Sequence, residues 1–120
     1  MEHPCRTCGA CCATFRVSFY GGETDVVYGE VPIDLTEPVT PHRVAMRGTN
    51  QIPPRCVALD GPVGGLTTCT IHTIRPSPCR EFEAAWEDGT PHDRCDAARA
   101  RHGLAPLTPQ DWARWRAAGG

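Results

Sequence analysis

Alternating apolar and polar residues mark the first predicted strand, over residues 14–20. Three apolar side chains fall on one side of this segment: Phe15, Val17 and Phe19. Because successive side chains point to opposite faces of a strand, the pattern predicts a half-buried β-strand. A pair of glycines ends it, and residues 25–28 are predicted to return as its hairpin partner.

A second hairpin is predicted where two apolar runs flank a turn. Residues 56–59 form the first run and residues 66–74 the second, and the segment between them is rich in glycine. Such residues are typical of the connection between two strands. The predicted strands would carry Cys56 and Cys69 opposite each other.

Helical patterns occur only in the last third of the chain. Ser77 precedes a proline, which is a typical helix start, and the predicted helix continues over residues 79–87. A second helix is predicted over residues 92–101 and carries Cys95. A third is predicted to begin after Thr108, whose side chain is suited to cap it.

The segment 32–54 contains five prolines and few periodic apolar positions. It is therefore predicted to be a loop with at most one short helical turn, near residues 42–47. Loops of this length are usually functional or mobile. A contact with a protein partner is accordingly predicted here, on loop length alone.

Composition places these elements in a small α+β domain. The chain has 120 residues and a mass of 13.0 kDa, and glycine and proline contribute 12 residues each. Residues 1–103 are predicted to form a single cysteine-cluster domain, with short β-hairpins and two or three helices in the C-terminal half. Residues 104–120 are predicted to be a helical extension that Trp112 and Trp115 dock on the same domain.

Charge and hydropathy exclude several classes of function. The formal net charge is −2, which gives no general attraction to nucleic acid or to an anionic membrane. No apolar run approaches the roughly 20 residues of a membrane helix. All basic residues are arginine, so a Schiff-base or catalytic lysine is excluded. The first residues lack the pattern of a secretory signal, which predicts a cytoplasmic protein with reduced thiols.

Eight cysteines dominate the candidate chemistry. Four of them form an N-terminal Cys-x-x-Cys-x-x-Cys-Cys run, namely Cys5, Cys8, Cys11 and Cys12. The remaining four are dispersed, namely Cys56, Cys69, Cys79 and Cys95. A two-residue spacer lets two thiolates of a tight turn converge on one ion. Iron–sulfur proteins use the same triple spacing, although here the fourth cysteine follows directly.

Two uses compete for these cysteines. Disulfide bonds would suit a short, loop-rich secreted scaffold, and eight is an even number. The missing signal peptide and the adjacent Cys11 and Cys12 favour thiolate ligands instead. Zinc and a four-iron cluster each take four thiolates, so eight cysteines make two sets. The spacing leaves open which four share a set, but sets that mix N-terminal and dispersed cysteines would clamp the chain best.

Arginine and histidine supply the secondary candidates. Buried thiolate sites carry negative charge, and four arginines that stand beside cysteines in sequence are predicted to donate to the sulfurs: Arg6, Arg55, Arg80 and Arg94. The alternative is that they are surface side chains. His72 and His92 lie near cysteines in sequence and are candidates to replace a thiolate.

The ordered cysteine motifs resemble those of the bacterial CxxCxxCC, or YkgJ-like, cysteine-cluster family. The resemblance rests on three segments: Cys5-x-x-Cys8-Gly9-x-Cys11-Cys12, Cys56-Val-x-Leu-Asp-Gly, and Cys69-x-Ile71-x-x-x-Arg75-Pro76-x-x-Cys79-Arg80-x-Phe82, with Cys95 following. It covers most of residues 5–95 and departs at His72, where a tyrosine is expected. The resemblance implies a zinc- or iron-chelating domain that uses all eight cysteines.

Three functions follow from these observations. The first is a non-catalytic module that holds zinc ions or an iron–sulfur cluster. The second is an iron–sulfur redox or enzyme component, an oxidoreductase or a protein associated with methylases, since flagellin lysine-N-methylases resemble the family over the cysteine motif. The third is metal trafficking or sensing, which requires an exchangeable ion. No acid–base constellation for catalysis is visible.

Overall fold

Short strands and helices alternate with turns throughout the computed structural model, which describes residues 3–119. The predicted α+β class is confirmed. Contacts divide the described chain into two units. The first unit contains residues 3–11, 61–68 and 83–119, and the second contains Cys12–Asp60 and Cys69–Phe82. Each unit is described by itself.

An antiparallel three-stranded sheet forms much of the second unit. Its strands are β1 (Ser18–Tyr20), β2 (Thr36–Thr40) and β3 (Arg43–Met46), in the order β1-β3-β2. Phe19 lies opposite Val44 in the register of β1 and β3. The buried apolar residues of this unit include Val17, Phe19, Val31, Ala45, Met46, Ala58, Leu59 and Ile71. This core contains few large side chains.

The prediction that residues 25–28 pair with β1 was wrong. Those residues form turns, and β3 is the partner of β1. The N–H of Asp25 instead donates to the carbonyl of Val31 over 2.9 Å, which closes a local loop. The predicted first strand is also shorter than residues 14–20, because it begins only at Ser18.

The prediction of a loop over residues 32–54 was wrong as well, because β2 and β3 form a hairpin there. Pro38 lies within β2 even though it has no N–H to donate. It is tolerated because β2 is an edge strand of its sheet. A protein partner for this segment stays a prediction, but the long loop that motivated it does not exist.

The predicted second hairpin is confirmed as a pairing of two short strands, β4 (Leu59–Asp60) and β5 (Thr68–Cys69). Cys69 lies on β5, as expected. Cys56 precedes β4 in a turn, in which the carbonyl of Cys56 accepts a hydrogen bond from the N–H of Leu59 over 3.0 Å. The two cysteines are therefore not both on strands.

Helix α1 (Ser77–Glu81) is shorter than predicted, because the chain is extended at Phe82. Phe82 packs on Phe15 with their ring centroids 5.9 Å apart. The start of α1 is held by Glu23, whose carboxylate accepts from the N–H and the hydroxyl of Ser77 over 2.8 and 2.7 Å. The N-terminus of α1 is thus held by a tertiary contact with Glu23 and not by a side-chain cap.

Two longer helices belong to the first unit. Helix α2 (Asp93–Arg101) carries Cys95, and helix α3 (Pro109–Ala117) packs on the 3₁₀ turn Pro4–Thr7. Both were predicted at nearly these positions. Thr108 and Asp111 form a capping box at the start of α3. The Thr108 side chain accepts from the backbone N–H of Asp111, and the Asp111 carboxylate accepts from the N–H of Thr108. The predicted cap at Thr108 is confirmed.

The cap of α3 provides a test of local stability. Replacing Thr108 with Ala removes the capping hydroxyl and is expected to cost about 1 kcal/mol of unfolding free energy, whereas Thr108→Ser should cost much less. Burial would raise the pKa of Asp111, but hydrogen bonds from Thr108 and the charge of Arg114 outweigh it and lower that pKa. The stabilisation by Asp111 is therefore complete above the ordinary value of 3.8 and lost as the pH falls through the lowered pKa.

Thermal melts over a pH series would measure both effects. Thr108→Ala should also show a weaker loss of stability in acid than the wild type. An equal melting temperature for Thr108→Ala and the wild type would contradict the role of the cap.

Gly48 and Gly89 form a matched pair for testing backbone constraints, since both have a φ of 87°. A Cβ added at Gly48 would lie 2.0 Å from the carbonyl oxygen of Arg55. At Gly89 an added Cβ would have no non-neighbouring atom of residues 3–119 within 4 Å. Both alanine variants bear the left-handed strain of about 1–2 kcal/mol. Gly48→Ala should lose several kcal/mol more in a denaturant titration, and equal losses would contradict the clash with Arg55.

Candidate metal centre

All eight cysteines lie within the described residues, and none of them forms a disulfide bond. Cys8, Cys56 and Cys95 are buried, at 8%, 7% and 6% exposure. Thiols in such positions must be satisfied by hydrogen bonds, by packing or by a ligand. The disulfide alternative finds no support in this arrangement.

Four thiols share one neighbourhood in the first unit. Cys5 interacts electrostatically with Cys11, Cys8 and Cys95, and Cys95 interacts with Cys8. The fold thus brings Cys95, on α2, to a group whose other members lie at the N-terminus. One dispersed cysteine therefore lies near three of the clustered cysteines. Whether these four share a metal site stays a prediction.

The N-terminal part of this group is shaped by a 3₁₀ turn, Pro4–Thr7. Nδ1 of His3 accepts from the N–H of Cys5 over 3.1 Å and caps the turn. The carbonyl of Cys8 accepts from the N–H of Gly64 over 2.7 Å. Gly9 has a φ of 69°, which lets the chain curl so that the N–H of Ala10 donates to Sγ of Cys8 over 3.4 Å.

Cys95 is supported by the segment that precedes α2. The N–H of Ala85 donates to the Cys95 sulfur, and the carbonyl of Ala85 accepts from Nε1 of the buried Trp112 over 2.8 Å. The next residue, Trp86, has a φ of 67°, which is rare outside glycine. One peptide segment thereby links helix α3 to a thiol of the group.

Burial is the main reason why two thiols of this group, Cys5 and Cys95, have raised pKa values. Burial, followed by the charges of Cys11, Glu87, Cys8 and Cys95, raises the pKa of Cys5 from 9.0 to about 12. Although part of the residue is exposed, its sulfur is therefore strongly desolvated. A thiol with this pKa keeps its proton at neutral pH unless a cation replaces it.

The same electrostatic pattern surrounds Cys95. Burial is the largest cause that raises the pKa of Cys95, and Cys8 and Asp96 raise it further. The N–H of Ala85 and the charge of Arg99 act in the opposite direction but do not outweigh burial. Oδ1 of Asp96 is also a buried oxygen with no hydrogen-bond partner among residues 3–119. The two backbone N–H···S bonds and this excess of negative groups fit a bound cation.

The spacing of the first-unit sulfurs is wider than that of a closed zinc site. Tetrahedral coordination at a Zn–S distance of about 2.3 Å holds sulfurs about 3.8 Å apart. No three of these sulfurs in the described structure all lie within 4.8 Å of one another. The fold therefore brings the four thiols into one neighbourhood, and coordination of a single zinc ion would draw them closer.

The other four cysteines belong to the second unit: Cys12, Cys56, Cys69 and Cys79. The carbonyl of Cys12 accepts from the N–H of Cys56 over 2.8 Å. Cys69 lies on β5, beside Thr70, whose N–H donates to the carbonyl of Ala58 over 2.8 Å. Cys79 lies on α1. The second half of the cysteine set is thus also gathered by one unit.

The predicted arginines make contacts with backbone and hydroxyl oxygens. Arg6 donates to Oγ1 of Thr68 over 3.3 Å, and Arg55 donates to the carbonyl of Leu59 over 3.4 Å. Arg80 donates to the carbonyl of Arg75 and lies 3.6 Å from a Glu23 oxygen. Donation to sulfur by these side chains, and by Arg94, stays a prediction.

The histidine candidates lie in different surroundings. Nε2 of His92 contacts carboxylate oxygens of Glu83 and Asp88, both over 3.2 Å, so its neighbours are oxygens of exposed residues. Hydrogen bonds from Thr90, helped by His92, lower the pKa of Asp88 to about 2. His72 lies in a 3₁₀ turn after β5. Replacement of a thiolate by either histidine stays a prediction.

Several residues that act on the first-unit thiols were not identified from the sequence. They are His3, Ala85, Glu87, Arg99 and Trp112. Backbone N–H donors carry no side-chain signature, so Ala85 could not have been found. Arg99 follows Cys95 by one helical turn, and that spacing was the one available signal.

Within residues 3–119, the three helices are all too short and too polar to cross a bilayer. This finding agrees with the hydropathy pattern.

Comparison with known proteins places these cysteines in a family. The model of the CxxCxxCC family, described as a "putative zinc- or iron-chelating domain", matches residues 4–96. YkgJ of Escherichia coli O157:H7, named an uncharacterized protein, is 51% identical over 105 residues, which are 88% of this chain and 96% of that protein. A protein of Acinetobacter calcoaceticus named "putative ferredoxin" is 47% identical over 103 residues, 86% of this chain and 77% of that protein.

No solved structure matches this chain. The family match spans all eight cysteines, from Cys5 to Cys95, and the predicted resemblance is confirmed. The chain therefore belongs to the CxxCxxCC family.

Proposed function

We propose that this chain is a non-catalytic module that binds metal through its cysteine thiolates. The observation that carries the proposal is the gathering of Cys5, Cys8, Cys11 and Cys95 in one unit, although Cys95 is distant in sequence. Ala10 and Ala85 direct backbone N–H groups at two of these sulfurs. Such donors stabilise thiolates that share a cation.

A bound ion would offset part of the thiolate charge and would link Cys95 to the N-terminal cysteines of the first unit. When four protein thiolates fill a zinc site, no position is open for a substrate. The family description supports metal binding and names zinc and iron equally. A role in holding the fold together is therefore favoured over a catalytic one.

An iron–sulfur cluster is the second candidate, and two observations favour it. The Cys-x-x-Cys-x-x-Cys spacing at the N-terminus is shared with ferredoxins. One relative, 47% identical, is named a putative ferredoxin. A cluster in the first unit would use the same four thiolates and would equip the chain for electron transfer.

Elemental analysis of protein purified without oxygen separates these candidates. The zinc module should contain about two zinc ions per chain and be colourless. The iron–sulfur form should contain iron and acid-labile sulfide, with a broad absorption near about 400 nm that bleaches on reduction. A chain that carries no metal after expression with zinc and iron supplied, and that takes up neither on reconstitution, would contradict metal binding.

A further inference from the structure

The eight cysteines divide four and four between the two units of the fold. The first-unit set is Cys5, Cys8, Cys11 and Cys95, and the second-unit set is Cys12, Cys56, Cys69 and Cys79. Four is the number of thiolates required by a closed zinc site and by a four-iron cluster. The division also separates Cys11 from Cys12, which are neighbours in sequence.

The thiols of the first-unit set lie near enough to one another to interact electrostatically. Cys5 interacts with each of the other three, and Cys8 interacts with Cys95. Cys5 lies in the 3₁₀ turn Pro4–Thr7, and Cys8 ends that turn. Cys11 follows Gly9 and begins the next 3₁₀ turn, and Cys95 lies on α2. Every member therefore has another member of the same set as a neighbour.

The second-unit set is connected through the backbone. The Cys56 N–H binds the Cys12 carbonyl directly, over 2.8 Å. Cys69 is next to Thr70, which binds the carbonyl of Ala58, two residues after Cys56. Phe82 ends the helix of Cys79 and packs on Phe15, three residues after Cys12. The segments that carry these four cysteines are thus bound to one another.

We propose that the chain contains two separate four-thiolate metal sites, one in each unit, with their boundary at the Cys11–Cys12 peptide bond. The proposal rests on the proposed metal-binding function and assigns every ligand to a site. Adjacent residues direct their side chains differently, so the pair Cys11 and Cys12 delivers one thiolate to each site. A single site built from all eight cysteines is excluded by this assignment.

Paired serine variants test the assignment, because each pair removes the same number of thiols. Two double variants each affect one set, namely Cys5→Ser/Cys95→Ser and Cys56→Ser/Cys69→Ser. Each of them should retain one of the two zinc ions in the presence of a competing chelator. Cys5→Ser/Cys56→Ser affects both sets and should retain neither ion. Loss of both ions from a same-set pair, or retention of one by the cross-set pair, would overturn the assignment.

A measurement on the wild type covers the case in which a variant does not fold. The metal-free chain is given one equivalent of zinc, the unprotected thiols are alkylated, and intact chains are fragmented in a mass spectrometer. Chains with four labels should carry all four on one set. Two outcomes would overturn separate sites. One is a chain with four labels that are divided between the two sets, and the other is a sample that contains only fully labelled and unlabelled chains.

Failure of the two proposals is distinguishable in these experiments. A wild-type chain that takes up neither zinc nor iron with sulfide removes metal binding and the two sites together. A wild-type chain that takes up metal but protects mixed groups of cysteines keeps the metal-binding function and removes the assignment. If the chain holds iron–sulfur clusters, the same variants are read by iron and sulfide content.

Discussion

Stripping the metal from the purified protein is expected to abolish its cooperative thermal unfolding transition. Structural zinc contributes about 10–16 kcal/mol of apparent binding free energy at neutral pH, while entire domains are stable by about 5–15 kcal/mol. Many of the buried apolar residues in the first unit are alanines, which bury little surface: Ala10, Ala84, Ala85 and Ala98. Because this core buries little apolar surface, bound metal is expected to contribute more to the free energy of unfolding than the core does.

Circular dichroism and a thermal melt, before and after treatment with a strong chelator under reducing conditions, would measure this loss. Chelator saturated with zinc beforehand is the control, and re-adding zinc should restore the transition. Rapid loss of one ion with the fold retained would instead indicate an exchangeable ion, as metal trafficking requires. An unchanged melt after complete metal removal would contradict a structural role.

Replacement of Trp112 is expected to destabilise the first unit and weaken its hold on metal. Trp112 is 1% exposed, and its indole N–H donates to the carbonyl of Ala85 over 2.8 Å. Trp112→Ala should cost about 3–5 kcal/mol, since it leaves a large cavity. Trp112→Phe keeps most of the volume but leaves that buried carbonyl unpaired, at about 1–3 kcal/mol.

Trp112 is linked to metal binding through Ala85, whose carbonyl binds Trp112 and whose N–H binds a thiol. The Ala85 N–H donates to the Cys95 sulfur, so a shift of this segment loosens one ligand of the first-unit set. Trp112→Phe should release one ion to a chelator faster than the wild type. Trp115→Ala is the control, because Trp115 is only partly buried and lies on the same helix. Equal release rates for Trp112→Phe and the wild type would contradict the link to Cys95.

Local signals in the sequence were reliable where an element depends on its own residues. Helices α2 and α3 lie at nearly their predicted positions, because periodic apolar residues and, in α3, the Thr108 cap act within one or two turns. The spacing of the N-terminal cysteines likewise indicated metal chemistry, since two-residue spacers place thiolates on one tight turn. The family resemblance followed from the same motifs.

Elements that depend on distant partners were predicted poorly. The proline-rich segment 32–54 contains β2 and β3, because pairing with β1 and an edge position for Pro38 outweigh its weak local propensity. Helix α1 ends at Glu81 rather than at residue 87, since Phe82 packs on Phe15. Both contacts join residues that are far apart in sequence, so a pattern read over a short segment of the chain does not reveal them.

The sequence by itself determined the candidate chemistry and part of the helical structure. It gave eight thiols, their clustering at the N-terminus, helix α2, and helix α3 with its cap. Only the tertiary structure decided which thiols meet, because spacing along the chain does not specify contacts between residues as distant as Cys5 and Cys95. It also supplied Ala85 and Trp112, whose roles depend on where a backbone N–H and an indole point after folding. Hydrogen-bond direction and burial are properties of the folded chain.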